Sequence, residues 1–307
     1  MIRTAAGKQT ARGPAAPGKV WLIGAGPGDP ELLTLRAARA LREADAIVVD
    51  RLVAPAVLEH ARPDAEVIEA GKQGGRPCIS QERINRLLVD RAQAGQRVAR
   101  LKGGDPFMFG RGAEEAQALV AAGVAWEVIP GVSAGIAAPA YAGIPLLHRD
   151  HASSVLFLTG HAGRDRTAFG CDADTLVVFM CAATIVEIAR ELLAFGRPGS
   201  TPVALIRNGT STSQEVRAGT LAALAACPRP PLAGPLLAVV GEVVRLSCEL
   251  RWFGEPAQPL ATAPLSWVRA PRGASAGAPA SGRRRSASRR PRTRAASAFP
   301  ARERRSR

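Results

Sequence analysis

Short apolar runs alternate with amphipathic stretches through most of the chain. Lys19–Gly24 (KVWLIG) predicts a strand ending in glycines. Residues 31–44 predict a helix, with Leu32, Leu35, Ala38 and Leu41 at three-residue steps and Glu31 in its first turn. Further strands are predicted at 46–50, 65–70, 97–101 and 125–129. Helices are predicted at 80–94, with Ser80 as N-cap and Gly95 beyond the end, and at 111–122. Enough chain for a crossover separates each strand from the next, which predicts a parallel sheet.

After Pro145 the rhythm changes. Strands are predicted at 154–159, 175–180, 202–207, 214–218 and 235–240, and helices at 184–195 and 220–226. Only NGTSTS joins the strands at 202–207 and 214–218, so a hairpin and a mixed sheet are expected. The fold class is therefore α/β, with a parallel-sheet domain over 19–146 and a mixed-sheet domain over 147–256.

Charge alters the picture only at the ends. The chain has 307 residues and a net charge of +15. Residues 269–307 carry 13 Arg and one Glu, residues 1–18 carry Arg3, Lys8 and Arg12, and 19–268 balance at 25 basic and 25 acidic. Residues 1–18 and 257–307, rich in Ala, Gly, Pro and Ser, are expected to be disordered basic extensions. At 47% hydrophobic, the chain as a whole is not a disordered one. Five scattered Cys (78, 171, 181, 227, 248) without a C-x-x-C pair predict free thiols in a reducing cytoplasm. Residues 132–147 are uncharged but broken by Gly and Pro, too short to span a bilayer, and the N-terminus has no apolar signal-peptide core.

Candidate chemistry lies at two glycine loops. Gly24-Ala25-Gly26-Pro27-Gly28-Asp29 lies between a strand and a helix, where backbone N–H groups can meet a ligand. Asp50 ends the next strand, as a ribose-binding acid would. The spacing is nonetheless not G-x-G-x-x-G, and Pro27 removes a donor. Gly103-Gly104-Asp105-Pro106 follows another strand, and Phe107-Met108-Phe109 adds an apolar wall suited to a neutral, partly aromatic ligand. No G-x-x-x-x-G-K-[ST] is present. His148 and His151 lack metal-site spacing and Cys partners, so no metal is expected.

These motifs carry a resemblance. GAGPGDPELLTLRAARAL, VVDRLV, GKQGG, RLKGGDPFMFGRGAEE, VIPGVSAG, AYAGIPLLHRDHASS and TGH, in that order, resemble the uroporphyrinogen-III C-methyltransferases of the tetrapyrrole methylase fold. The resemblance implies a two-domain enzyme with S-adenosylmethionine in the cleft between domains. Cofactor contacts would fall on Pro27, Gly103, Gly104, Asp105, Met108, Ser133, Ala134, Met180 and Gly209. Asp50 matches the proposed proton acceptor and Lys72 the proposed proton donor. Arg51, Arg76, Arg111, His148 and Arg149 are cationic groups that could meet the substrate's carboxylates. The implied reaction is methylation of uroporphyrinogen III at ring positions 2 and 7, through precorrin-1 to precorrin-2, for sirohaem or cobalamin synthesis. A homodimer is also implied, and the lack of an attached dehydrogenase/chelatase segment matches the single-function form. The chain departs from the family pattern at Val49 for Tyr, Cys181 for Gly, Leu147 for Thr and Ser133 for Thr. Cys181 is expected either to crowd the cofactor edge or to present an exposed thiol. Two alternatives remain at this stage: a methylase of the same fold acting on another corrin intermediate or on ribosomal RNA, and a non-catalytic nucleic-acid-binding protein using the Arg-rich tail.

Overall fold

The computed structural model describes residues 18–70, 79–161, 166–228, 230 and 232–260. The expectations for Lys72, Arg76 and Cys78 fall outside the described residues, as do those for nearly all of both basic extensions.

Five strands form the first sheet: β1 Lys19–Gly24, β2 Ala46–Val49, β3 Glu66–Glu69, β4 Arg97–Lys102 and β5 Ala125–Ile129. All pair in parallel, in the order β3-β2-β4-β1-β5. Alternation along β1 sends successive side chains to opposite faces. Trp21 and Ile23 join Ile47, Ala99 and Leu101 beneath helix α1 (Leu35–Glu43). Val20 and Leu22 instead join Val98 and the apolar stripes of α2 (Gln81–Gln93) and α3 (Gly112–Ala121).

The helix expected from residue 31 is interrupted. Asp29 caps a short 3-10 turn, Pro30–Leu32, by accepting from the Glu31 N–H. Thr34 then caps α1, its Oγ1 taking the Ala37 N–H at 3.2 Å. Two polar caps five residues apart outcompete the apolar spacing. Leu35, expected on the buried stripe, is 85% exposed.

A helix absent from the sequence reading, α4 (Ala134–Tyr141), leaves the loop after β5 and packs on the second sheet. Its residues are small and it holds Pro139, so no amphipathic period announces it. Small size lets it lie close: a Cβ on Gly135 would stand 2.5 Å from Phe179 Cζ.

The second sheet is mixed. It contains β6 Val155–Thr159, β7 Thr175–Phe179, β8 Pro202–Arg207, β9 Glu215–Thr220, β10 Leu236–Val240 and β11 Gln258–Pro259, in the order β11-β9-β8-β10-β7-β6. Strands β8 and β9 form the expected antiparallel hairpin, whereas β6 and β7 pair in parallel. Helices α5 (Ile185–Ala194) and α6 (Leu221–Ala225) cover one face through Ile188, Leu192 and Leu224. Helix α4 covers the other with Val177, Ala204 and Val239. Among the described residues no helix is long and apolar enough to cross a membrane.

Candidate functional site

The loops singled out in the sequence meet at the carboxyl ends of β1, β4 and β5, where an open α/β sheet places its ligand cleft. Gly26 and Gly104 pair as an isolated bridge, the Gly104 N–H donating to Gly26 O at 2.7 Å. Close approach requires glycine here: a Cβ on Gly131 would lie 2.3 Å from Gly104 O. Gly104 itself has a φ of +67°, which favours glycine, and a Cβ there would meet nothing closer than Ala134 N at 3.7 Å. The 103–105 loop thus lies in ordinary contact distance of Ser133-Ala134, and the left-handed backbone, not crowding, is what favours glycine at 104. Asp105 pins the loops together, since Oδ1 accepts from Phe107 N at 2.8 Å and Oδ2 from Gly131 N at 3.1 Å.

The first loop also reaches the second sheet. Asp29 N donates to Thr210 Oγ1 at 3.0 Å, and the Tyr141 hydroxyl donates to Asp29 Oδ2 at 2.7 Å. A Cβ on Gly28 would be 2.9 Å from Gly209 O, and one on Gly209 2.3 Å from Ala138 Cβ. Pro27, residues 103–105, Ser133, Ala134 and Gly209 are thus brought together. Met180 follows Phe179, whose ring lies tilted against that of Phe109 at 4.8 Å and faces Gly135. Met108 lies in the loop held by Asp105, with its N–H directed to Asp105 O at 3.4 Å. Phe109, Arg111, Met180, Asn208 and Thr210 all have φ between 49° and 70°. Left-handed backbone at non-glycine residues is costly, and here it is concentrated in the loops around the cleft.

Asp50 stands just past β2, its backbone N–H on Leu101 O at 3.0 Å and its carboxylate one-third exposed. Behind it lies a buried cluster that sequence reasoning missed. Arg100 Nη2 is 2.5 Å from Asp50 Oδ1, and Arg100 Nε and Lys102 Nζ each lie 2.9 Å from Glu115 Oε1. Lys102 Nζ is 3.7 Å from Asp50 Oδ2. Burial, together with the neighbouring Arg100 charge, pushes the Lys102 ammonium below its ordinary value, while Glu115 and Asp50 oppose the shift. The available signal was the alternation of Arg100 and Lys102 on one face of a central strand, opposite an acid on α3.

The expected substrate cations are dispersed on the surface. Arg51 and Arg149 are exposed. Arg111 is engaged by its neighbour Glu114, at 2.8 and 2.6 Å. His148 Nδ1 accepts from Asp150 N at 3.2 Å, and its ring lies 4.8 Å from that of His151. Exposed apolar side chains at Leu52, Phe107, Phe109 and Met180 flank the loops. Cys181 corrects one expectation, for it is fully buried beneath β7 and not an exposed thiol. Burial pushes its thiol up to about 12. Among the described residues no group of three or more His, Cys, Asp or Glu could hold a metal ion. A separate cavity of about 370 Å³, lined by His151, Cys171, Asp174 and Arg197, opens at the other end of the second sheet.

Family comparison fits this architecture. Residues 19–225 match the Tetrapyrrole (Corrin/Porphyrin) Methylases, and the chain belongs to that family. It is 51% identical over 247 residues to a siroheme synthase of Azotobacter vinelandii, covering 78% of this chain and 53% of that protein. The chain spans about half the length of the siroheme synthases it matches. Among solved structures, uroporphyrin-III-C-methyltransferase from Thermus thermophilus is 40% identical with a TM-score of 0.66, covering 78% of this chain and 99% of that one. A second structure of that enzyme, complexed with S-adenyl homocysteine, is likewise 40% identical with a TM-score of 0.66, covering 74% and 99%. Both the parallel and the mixed sheet of the expected fold are present.

Proposed function

We propose that the chain transfers methyl groups from S-adenosylmethionine to two ring carbons of uroporphyrinogen III, yielding precorrin-2 for sirohaem or cobalamin synthesis. The observation that carries this reading is the position of Asp50, a partly exposed carboxylate at the carboxyl end of the sheet where the glycine loops meet. The cradle fits the co-substrate: bare backbone at 103–104, the Asp105 carboxylate, and the Met108 and Met180 thioethers suit an adenosyl sulfonium better than a polyphosphate. When bound, S-adenosylmethionine supplies an electrophilic methyl carbon and leaves as S-adenosylhomocysteine. Pro27, Gly103, Gly104, Asp105, Met108, Ser133, Ala134, Met180 and Gly209 would hold it in line for attack. Once the nucleophilic pyrrole carbon has taken the methyl, the macrocycle must lose a proton, and Asp50 is the carboxylate that accepts it in this reading. Lys72 is assigned the complementary proton donation on the family pattern. Leu52, Phe107 and Phe109 offer an apolar surface for the macrocycle, and Arg51, Arg111, His148 and Arg149 pair its carboxylates, Arg111 by exchanging Glu114 for substrate. Lobes at 19–146 and 147–256, a homodimer and a cytoplasmic location complete the proposal.

Asp50→Asn tests it. The variant should bind S-adenosylhomocysteine as the parent does, while kcat on uroporphyrinogen III falls about a hundredfold or more. Full turnover in that variant would remove Asp50 as the base.

A further inference from the structure

The buried cluster behind Asp50 has no part in the scheme above. A buried ion cluster adds little net stability, because desolvating the charges offsets their attraction. Its presence calls for another account. Arg100 is 1% exposed, and its guanidinium meets four acceptors: Glu115 Oε1 at 2.9 Å, Val48 O at 3.2 Å, Leu101 O at 3.5 Å and Asp50 Oδ1 at 2.5 Å. Two of these belong to the segment that presents the base, since Val48 lies two residues before Asp50. The Asp50 N–H returns to Leu101 O, so backbone and carboxylate are both referenced to β4. Glu115, fully buried on α3, fixes Arg100 from the other side and also holds Lys102. The two carboxylate oxygens are therefore unequal. Oδ1 is engaged by a permanent cation, whereas Oδ2 lies 3.7 Å from Lys102 Nζ, beyond hydrogen-bond distance.

We infer that Arg100 is a positioning residue that holds Asp50 by Oδ1, so that Oδ2 is the oxygen offered to the proton that the methylated macrocycle releases. This rests on the assignment of Asp50 as the base. A planar guanidinium bonded at several edges fixes direction as well as distance, which a lysine ammonium cannot do. Misplacing a reacting group by about 1 Å can cost about a hundredfold in rate.

The test compares the parent, Arg100→Lys, Asp50→Asn, the double variant Arg100→Lys/Asp50→Asn, and Asp50→Glu/Arg100→Lys. For each, kcat and KM for uroporphyrinogen III and the Kd for S-adenosylhomocysteine are measured. Arg100→Lys keeps the buried charge but withdraws the fork. It should lower kcat about tenfold to a hundredfold while KM and Kd stay within about threefold of the parent. In the Asp50→Asn background the same change should alter the residual kcat by less than about threefold, because interacting residues are non-additive. Asp50→Glu/Arg100→Lys, with the longer acid meeting the shorter cation, should recover part of the lost kcat. Unchanged kcat in Arg100→Lys, equal losses in both backgrounds, or loss of S-adenosylhomocysteine binding in Arg100→Lys would each overturn the inference. The last would mark a purely structural ion pair. Full activity of Asp50→Asn would instead overturn the base assignment.

Discussion

Tyr141, the only tyrosine in the chain, joins α4 to the first glycine loop. Its hydroxyl donates to Asp29 Oδ2 at 2.7 Å, and its ring packs against Trp252 and Phe253 at 4.8 and 4.9 Å. Burial, and then the hydrogen bond and charge of Asp29, push that hydroxyl from 10 up to about 12. The native state thus holds the proton more tightly than the unfolded chain. The associated stability is complete below pH 10 and is lost as pH rises through about 12. Taken in full the difference is worth about 2.7 kcal/mol, and solvent screening of this partly exposed hydroxyl reduces it to about 1–2 kcal/mol. Mutational experience with hydrogen bonds to charged groups gives a similar figure, about 1.5–3 kcal/mol. Tyr141→Phe should therefore lower the urea unfolding free energy by about 1–2 kcal/mol at neutral pH, and the gap should narrow above pH 10 and close as pH rises through about 12. Tyrosinate absorbance reports this one residue directly and should rise with a midpoint near 12 in the folded protein. A midpoint near 10, or a Tyr141→Phe variant as stable as the parent at neutral pH, would refute the link between α4 and the glycine loop.

Other substitutions probe separate parts of the structure. Gly131→Ala drives a Cβ to 2.3 Å from Gly104 O, where only backbone can yield. Calorimetry should show S-adenosylhomocysteine affinity reduced by about tenfold or more, equivalent to ~1.4 kcal/mol. The Asp174 carboxyl is held down to about 2 by the N–H and hydroxyl groups of Ser153 and Ser154. That stability is present above 3.8 and is lost as pH falls through about 2. Asp174→Asn should lower the thermal midpoint at neutral pH, with parent and variant converging in acid. Buried Cys181, its thiol pushed up to about 12, should resist iodoacetamide in the native protein while exposed Cys248 reacts, as peptide mapping would show.

Much of the fold was legible because buried strands write themselves as apolar runs. The limits of β1 and β8 coincide with the expected ones, and the NGTSTS connection gave the hairpin. Helix α4 was illegible because Ala, Gly and Pro carry no polar face to set a period. Leu35 misled for the opposite reason, since apolar spacing cannot register the caps at Asp29 and Thr34. At the site, the glycine loops were visible as motifs because close backbone approach admits no other residue. The Arg100–Glu115 cluster was not, because charge on a strand normally reads as solvent-facing and only tertiary packing buries it. The Asp29–Tyr141 contact spans 112 residues, a distance over which no local pattern extends.

The most direct test offers the purified chain S-adenosylmethionine labelled in its methyl group, with uroporphyrinogen III under anaerobic conditions and, in parallel, with ribosomal RNA. The account predicts label in the porphyrinogen, rising to two methyl groups per macrocycle, and none in RNA. Label in RNA with none in the porphyrinogen would contradict it.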